Sequence, residues 1–236
     1  MTRDGLLTLN AGSSSIKFAL FALDDDAGPP LQAGQVDGIG TCSGPASHAE
    51  ALAQVLAGLG DARVAAVGHR IVHGGVHFTR PVRIDDAVIE AIAALQALAP
   101  LHQPHNLAGV HAARAAFPGV PQVGCFDTAF HRSMPELNQR FALPQALHEA
   151  GIRRYGFHGL SYESIVAQLV AADPARALAR TVVAHLGAGA SLCAIEQGRS
   201  VATTMSFSPL DGLPMGTRCG RLDAAVVLHQ IGRAHV

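Results

Sequence analysis

Lysine is almost absent from this chain. Of 17 basic residues only Lys17 is a lysine, the rest being arginine. Codon preference for Arg and Ala accounts for the scarcity, yet the one lysine sits inside a Gly/Ser segment, where a phosphate site would want it. Charge as a whole is sparse, at 15% of residues with a formal net charge of -1. That balance carries no basic footprint for nucleic acid. With 49% hydrophobic residues, it also excludes a disordered chain. The 236 residues suffice for a buried core in one or two domains. Long apolar runs are missing: AIAALQALA (91–99) is too short and interrupted to span a bilayer. MTRDGLLTLN holds one Arg, then Asp, then too short an apolar run for a secretory signal. Cys42, Cys125, Cys193 and Cys219 form no CxxC and are expected as reduced thiols of a cytoplasmic protein. Neither GxxxxGK[ST] nor HExxH occurs, which removes the Walker loop and leaves a zinc hydrolase without its helical ligand pair.

What is present alternates strand and helix. LLTLN, AGSSS and IKFALFAL read as strand, turn and strand, and DDDAGPP (24–30) as a surface turn. Residues 31–67 give no clear pattern beyond a helix over 49–59. RVAAVGHRIVHGG reads as a buried strand running into a glycine turn. A helix starts at Asp85, whose carboxylate suits its N-cap; Val88, Ile92, Leu95 and Ala99 share a face, and Pro100 ends it. Pro104 suits the first turn of the next helix, which runs to Pro118-Gly119. PQVGCFDTAF is a second buried strand with Asp127 at its C-terminal end, where ligands of α/β sheets collect. SYESIVAQLVAA is helical, TVVAHLG a strand, GASLCAIEQG a turn and return strand, and LDAAVVLHQ a helix. The expectation is two α/β domains with a cleft between them and a boundary near Gly151. LNAGSSSIKFAL and LGAGASLCAI echo one another as strand, small-residue turn and strand. The last six residues, IGRAHV (231–236), resemble a translated sequencing adapter, so native coding is expected to stop near Gln230.

Five segments carry candidate chemistry. In NAGSSSIK (10–17), small residues let backbone N–H groups converge on an anion, while Lys17 adds charge; an ordinary hairpin turn is the alternative. In GHRIVHGGVHF (68–78), Arg70 can grip a carboxylate or phosphate with its planar fork. His69, His73 and His77 are spaced as helical zinc ligands would be, but Gly74-Gly75 opposes a helix, so they are expected to be hydrogen-bonding residues. In FDTAFH, Asp127 either orients a reacting group, metal-bound water or arginine, or caps a helix. In RRYGFHGLSYESI, His158 lies between glycines on a turn and can donate to developing negative charge. SFSPLDGLPMGTRCGRLD (206–223) is a long loop holding Arg218 and Arg221, the latter expected to pair with Asp223. Together these types suit phosphoryl transfer, in which a protein mainly positions groups and neutralises charge.

LTLNAGSSSIKFAL, VGHRIVHGG, LAPLHQPHNL, FDTAFHRSMP, RRYGFHGLSY, AHLGAGAS and FSPLDGLPMGTRCG resemble, in order and spacing, the motifs of the acetokinase family of acetate and propionate kinases. The resemblance runs from about Leu6 to Gln230. It implies an α/β, two-domain fold of the sugar-kinase, chaperone and actin-like ATPase type. Residues 1–150 would form the acetate-binding side, residues 151–230 an incomplete start of the nucleotide-binding domain, and 231–236 a non-native tail. It implies transfer of the ATP γ-phosphoryl group to acetate, with Mg²⁺, in a homodimer, without membrane or nucleic-acid partners. By motif, Asn10, Ser13, Ser15 and Lys17 would lie near the transferred phosphoryl group, with Asn10 near the metal and a further metal ligand beyond the chain. Arg70 and Arg218 would bind the carboxylate and the transferring group, His158 would hydrogen-bond that group, and Asp127 would help hold the metal or orient an arginine. Val72, Leu101, Phe157 and Pro209 would line the methyl pocket. His185, Leu186, Gly187, Ala188, Gly189 and Ala190 would form a second phosphate hairpin, which departs from the family in having Ala188 where Asn is common. The family's adenosine-binding motif and late glutamate ligand fall outside this sequence, so the 236 residues alone are expected to be inactive. A propionate or other short-chain carboxylate kinase is the alternative implied by the same motifs, because one methylene in an apolar pocket is worth only about 1–3 kcal/mol.

Overall fold

The computed structural model describes residues 4–24, 28–60 and 62–233. The chain divides into two compact units, Met1–Phe126 and Asp127–Val236. The first contains β1 (Asp4–Ala11), β2 (Ser15–Ala22), β3 (Gln32–Asp37), α1 (His48–Gly58), β4 (Arg63–Ile71), β5 (Val82–Arg83), α2 (Asp86–Ala94), α3 (Gln103–Ala116) and β6 (Gln122–Phe126). Its sheet runs β3-β2-β1-β4-β6-β5. β1 pairs parallel with β4, and β4 with β6, while the β1–β2, β2–β3 and β5–β6 pairs are antiparallel.

Period-two alternation decides what this sheet buries. Leu7, Leu9 and Ala11 of β1 turn inward and pack with Ile16, Leu20, Val64 and Val67, and with Ala51, Leu52 and Val55 of α1. Each fully buried Leu, Ile or Val contributes about 1.5–3 kcal/mol. Asn10, between two inward residues, is left on the other face. The expected cap at Asp85 is present, its carboxylate accepting the Val88 amide at 2.8 Å. α2 stops at Ala94, however, and continues as a 3₁₀ turn, Gln96–Leu98. The Leu95 amide bonds Ile92 O three residues back, which tightens the last turn before Pro100. β3 lies in the stretch that gave no pattern; most of its residues are exposed, so it lacks alternation.

The second unit contains α4 (Glu136–Gln139), α5 (Gln145–Glu149), α6 (Gly159–Ala172), α7 (Pro174–Leu178), β7 (Arg180–Leu186), β8 (Ala190–Glu196), β9 (Arg199–Thr203) and α8 (Ala224–Arg233). Its antiparallel sheet runs β7-β8-β9. β8 buries alternate residues, Ser191, Cys193 and Ile195, and the last two pack with Tyr162 of α6. The 3₁₀ turn Ala129–Ser133 packs on β9 and α6. Of the expected non-native tail, Ile231 to Arg233 continue α8, and 234–236 lie outside the described residues, as do 25–27 of the DDDAGPP turn. Asp223 accepts the Ala225 amide at 2.8 Å, capping the start of α8.

Three histidines are buried as neutral hydrogen-bonding groups. His69 Nε2 donates to Gln122 Oε1 at 2.8 Å. His73 Nδ1 accepts the Gly75 amide at 2.9 Å. His131 Nε2 donates to Phe157 O at 2.9 Å, and its Nδ1 lies 2.9 Å from the Ser200 hydroxyl. Burial lowers the pKa of each from 6.5 to about 4. Between those values the unfolded chain binds more protons than the folded one, so stability rises with pH. The contribution is complete above about pH 6.5 and lost as pH falls through about 4, on the order of 3 kcal/mol per histidine. Urea denaturation across that window is expected to show a falling midpoint on acidification. A midpoint independent of pH would mean that the imidazoles protonate alike in both states.

Candidate functional site

In the first unit, β1 and β2 are joined by residues 12–14, and the Gly12 amide donates to Ser15 O at 2.8 Å. Asn10 pairs with Lys17 across the ladder, so the two side chains share a face. Arg70, on neighbouring β4, comes to that face and donates from Nη1 to Asn10 Oδ1 at 3.1 Å. Lys17 is exposed; Ser13 is exposed at the turn and Ser15 half-buried. Asn10, Lys17 and Arg70, far apart in sequence, thus gather beside the expected anion-binding turn.

This hairpin is held from below by α3. Asn106 donates from Nδ2 to Ala11 O at 2.8 Å, and its Oδ1 accepts the Val72 amide at 2.9 Å. One buried side chain therefore ties the end of β1 to the segment following Arg70. His48 Nε2 donates to Gly12 O at 2.8 Å. The close approach requires Gly109, since a Cβ there would sit 2.7 Å from the Ala11 Cβ. Of the expected methyl-pocket residues in this unit, Val72 is 5% exposed and Leu101 74%.

In the second unit, β7 and β8 are also joined by three residues, 187–189, with the Gly187 amide donating to Gly189 O at 3.1 Å. The sequence echo is thus a structural one, two antiparallel hairpins with three-residue connections. Leu186, Gly187 and Ala188 are exposed, and Gly189 and Ala190 half-buried. His158 precedes α6 in the left-handed conformation, φ 62° and ψ 19°. Its ring stacks on His185 at 4.0 Å, and Nδ1 lies 2.9 Å from Ser191 Oγ. A Cβ on Gly189 would lie 3.1 Å from His158 Nε2 and 3.8 Å from Arg218 Nη1. The imidazole and the guanidinium therefore both reach this hairpin turn.

The long loop is ordered by its own bonds. Met215 and Arg218 exchange main-chain hydrogen bonds, the Ser206 hydroxyl donates to Asp211 Oδ2, and the Arg221 amide donates to Gly212 O. Arg218 Nη1 donates to Pro209 O at 2.9 Å, which brings Pro209 to the same group. Phe157 is buried, with its carbonyl held by His131. Asp127 is buried, and its carbonyl accepts the Gly159 amide at 2.8 Å, fixing the start of α6. It does not cap the following 3₁₀ turn, whose N-cap position is Thr128.

Among the described residues no group of three or more His, Cys, Asp or Glu gathers as metal ligands, and Asn10 Oδ1 accepts from Arg70. The histidine spacing of GHRIVHGGVHF likewise yields no such site there. Asn106, Gln103 and Tyr162 were not singled out from sequence. Asn106 and Gln103 fall in LAPLHQPHNL, but polar residues on an amphipathic helix ordinarily read as its solvent face.

The acetokinase family pattern matches residues 40–235. The chain belongs to the acetokinase family. Among its relatives, the acetate kinase of Methylocella silvestris is 50% identical over 95% of this chain and 63% of its own length. That of Nitrobacter hamburgensis is 46% identical over 97% and 62%. The crystal structure of Porphyromonas gingivalis acetate kinase superposes with TM-score 0.86 and 35% identity, covering 99% of this chain and 65% of that one. A propionate kinase from Francisella tularensis superposes with TM-score 0.91 and 34% identity over the same shares. This acetokinase chain thus spans about 62–65% of the length of those relatives, and it shares their fold.

Asn106→Ala is expected to remove partners from two main-chain groups beside the acetokinase hairpin. An unpaired buried donor or acceptor costs about 1–3 kcal/mol, so a loss of about 2–5 kcal/mol should appear in urea denaturation. Asn106→Asp, which keeps the acceptor for Val72, should lose less. An unchanged midpoint in Asn106→Ala would show that the tie carries no stability.

Proposed function

We propose that the protein transfers the γ-phosphoryl group of ATP to the carboxylate of acetate, giving acetyl phosphate and ADP reversibly. The observation that carries this reading is the convergence of His158 Nε2 and Arg218 Nη1 on the Gly189 turn. Two donors at a turn of small residues suit an anion whose charge spreads over equatorial phosphoryl oxygens. A carboxylate oxygen forms the new bond to phosphorus as the bond from the γ-phosphorus to the bridging oxygen breaks, and ADP leaves with that electron pair. Acetate is already a nucleophile at neutral pH, so no general base is required. The obstacle is repulsion between anions.

In this reading Arg70, oriented by Asn10, grips the acetate carboxylate, and Arg218 and His158 donate to the transferring group. Ser13, Ser15, Lys17 and the 12–14 turn serve phosphate, as do His185 to Ala190 on the second hairpin. Val72, Leu101, Phe157 and Pro209 contact the methyl group, and Asp127 orients an arginine. The division of labour is an acetate-binding side in residues 1–150 and the start of a nucleotide-binding domain in 151–230. Mg²⁺ enters with the nucleotide, held by phosphate and water as that ion commonly is. Cytoplasmic location and homodimeric assembly belong to the same proposal.

The test is acetate-dependent acetyl phosphate formation by the full-length protein. Arg218→Ala is expected to lower turnover by about 10²–10³, the usual loss for one transition-state donor; an unchanged rate would remove Arg218 from the site. The likeness to a propionate kinase supports a second reading, a propionate kinase on the same machinery. Relative rates at equal concentration decide between them. Acetate is expected to be faster, and faster turnover of propionate would reverse the assignment.

A further inference from the structure

Ser191, at the start of β8, is fully buried and touches two other side chains. Its hydroxyl lies 2.9 Å from His158 Nδ1 and in hydrogen-bond contact with the Tyr162 hydroxyl. Tyr162 is fully buried in the first turn of α6. These three side chains form a single line of hydrogen bonds from α6 through β8 to the ring of His158.

The direction of that line follows from counting hydrogens. Each hydroxyl in the line has one hydrogen to give. A phenol is a stronger acid than an alkanol, so the tyrosine hydrogen goes to Ser191 Oγ. The serine hydrogen then goes to His158 Nδ1, which must present a lone pair. In a neutral imidazole with Nδ1 accepting, the ring hydrogen is on Nε2. The reverse direction would turn the tyrosine hydrogen away from this line. Burial also pushes the Tyr162 phenol up to about 12, so it stays protonated and able to donate.

We propose that Tyr162 and Ser191 are positioning residues that lock His158 in the tautomer with hydrogen on Nε2. This rests on the reading above in which His158 donates to the transferring phosphoryl group. The sign of that interaction depends on the tautomer. With hydrogen on Nε2 the ring attracts phosphoryl oxygens; with hydrogen on Nδ1, Nε2 offers them a lone pair and repels them. Neither Ser191 nor Tyr162 touches substrate in this scheme. Their effect passes through the ring, which the left-handed backbone at His158 and the stack on His185 already orient.

The full-length protein with ¹⁵N-labelled histidine tests this, His158 being assigned by its loss in His158→Gln. The native ring is expected to show the Nε2–H signature, and Ser191→Ala to show a mixture of tautomers. In kinetics, Ser191→Ala is expected to lower kcat about 10- to 100-fold, the usual scale for a group that orients a functional ligand, with KM for acetate and ATP little changed. Ser191→Thr, which retains the hydroxyl, should recover most of the rate, and Tyr162→Phe should shift the tautomer less than Ser191→Ala. An Nδ1–H signature in the native protein, or an unchanged tautomer in Ser191→Ala, would overturn the proposal. A normal rate in His158→Gln would instead defeat the role of His158 while leaving the tautomer assignment standing. Loss of activity in Ser191→Ala with a native tautomer would make Ser191 merely structural and would also count against it.

Discussion

A buried amide oriented to serve two main-chain groups is the constraint on which the candidate residues of the first unit depend. The carbonyl of Ala11 lies at the end of β1, and the amide of Val72 just past the end of β4. Asn106 answers both, and a buried polar group left without a partner is costly. Arg70 and the 12–14 turn are therefore fixed relative to one another through a helix that contacts neither by charge. The Asn10–Arg70 bond then sets the direction of the guanidinium on that frame.

The second unit uses a different device. His158 is held in a left-handed conformation that non-glycine residues adopt at a cost of about 1–3 kcal/mol. The surroundings over-determine it. His131 grips the carbonyl of Phe157 immediately before it, and α6 begins immediately after. Gly156 allows the turn, since its φ is 78° and a Cβ there would meet the His131 ring at 2.5 Å. A strained residue kept by several independent contacts is the pattern found where a side chain must point in one direction only.

Much of this was legible in the sequence. The hairpins, the Asp85 cap, the helix entered by Pro104 and the strand ending before Asp127 each carry a local signature, and all are present. The polar cluster of Asn10, Lys17 and Arg70 could be suspected only as separate candidates, because strand register, not spacing, brings them together. β3 and β9 were not legible, the one for lack of alternation and the other for brevity. Asn106 and Tyr162 were hidden for another reason. Local pattern assigns polar residues to the surface, and only the tertiary fold shows that these two replace backbone partners or reach another side chain.

The scarcity of lysine has a practical side. Lys17 is exposed on β2 directly across from Asn10, and no other residue in the chain carries an ε-amino group. A reagent that acylates primary amines therefore finds, besides the amino terminus, one side chain of these 236 residues to mark, at the mouth of the first hairpin. Within these residues the lysine is a chemical tag beside the turn, and its rate of labelling reads out whether that turn is covered.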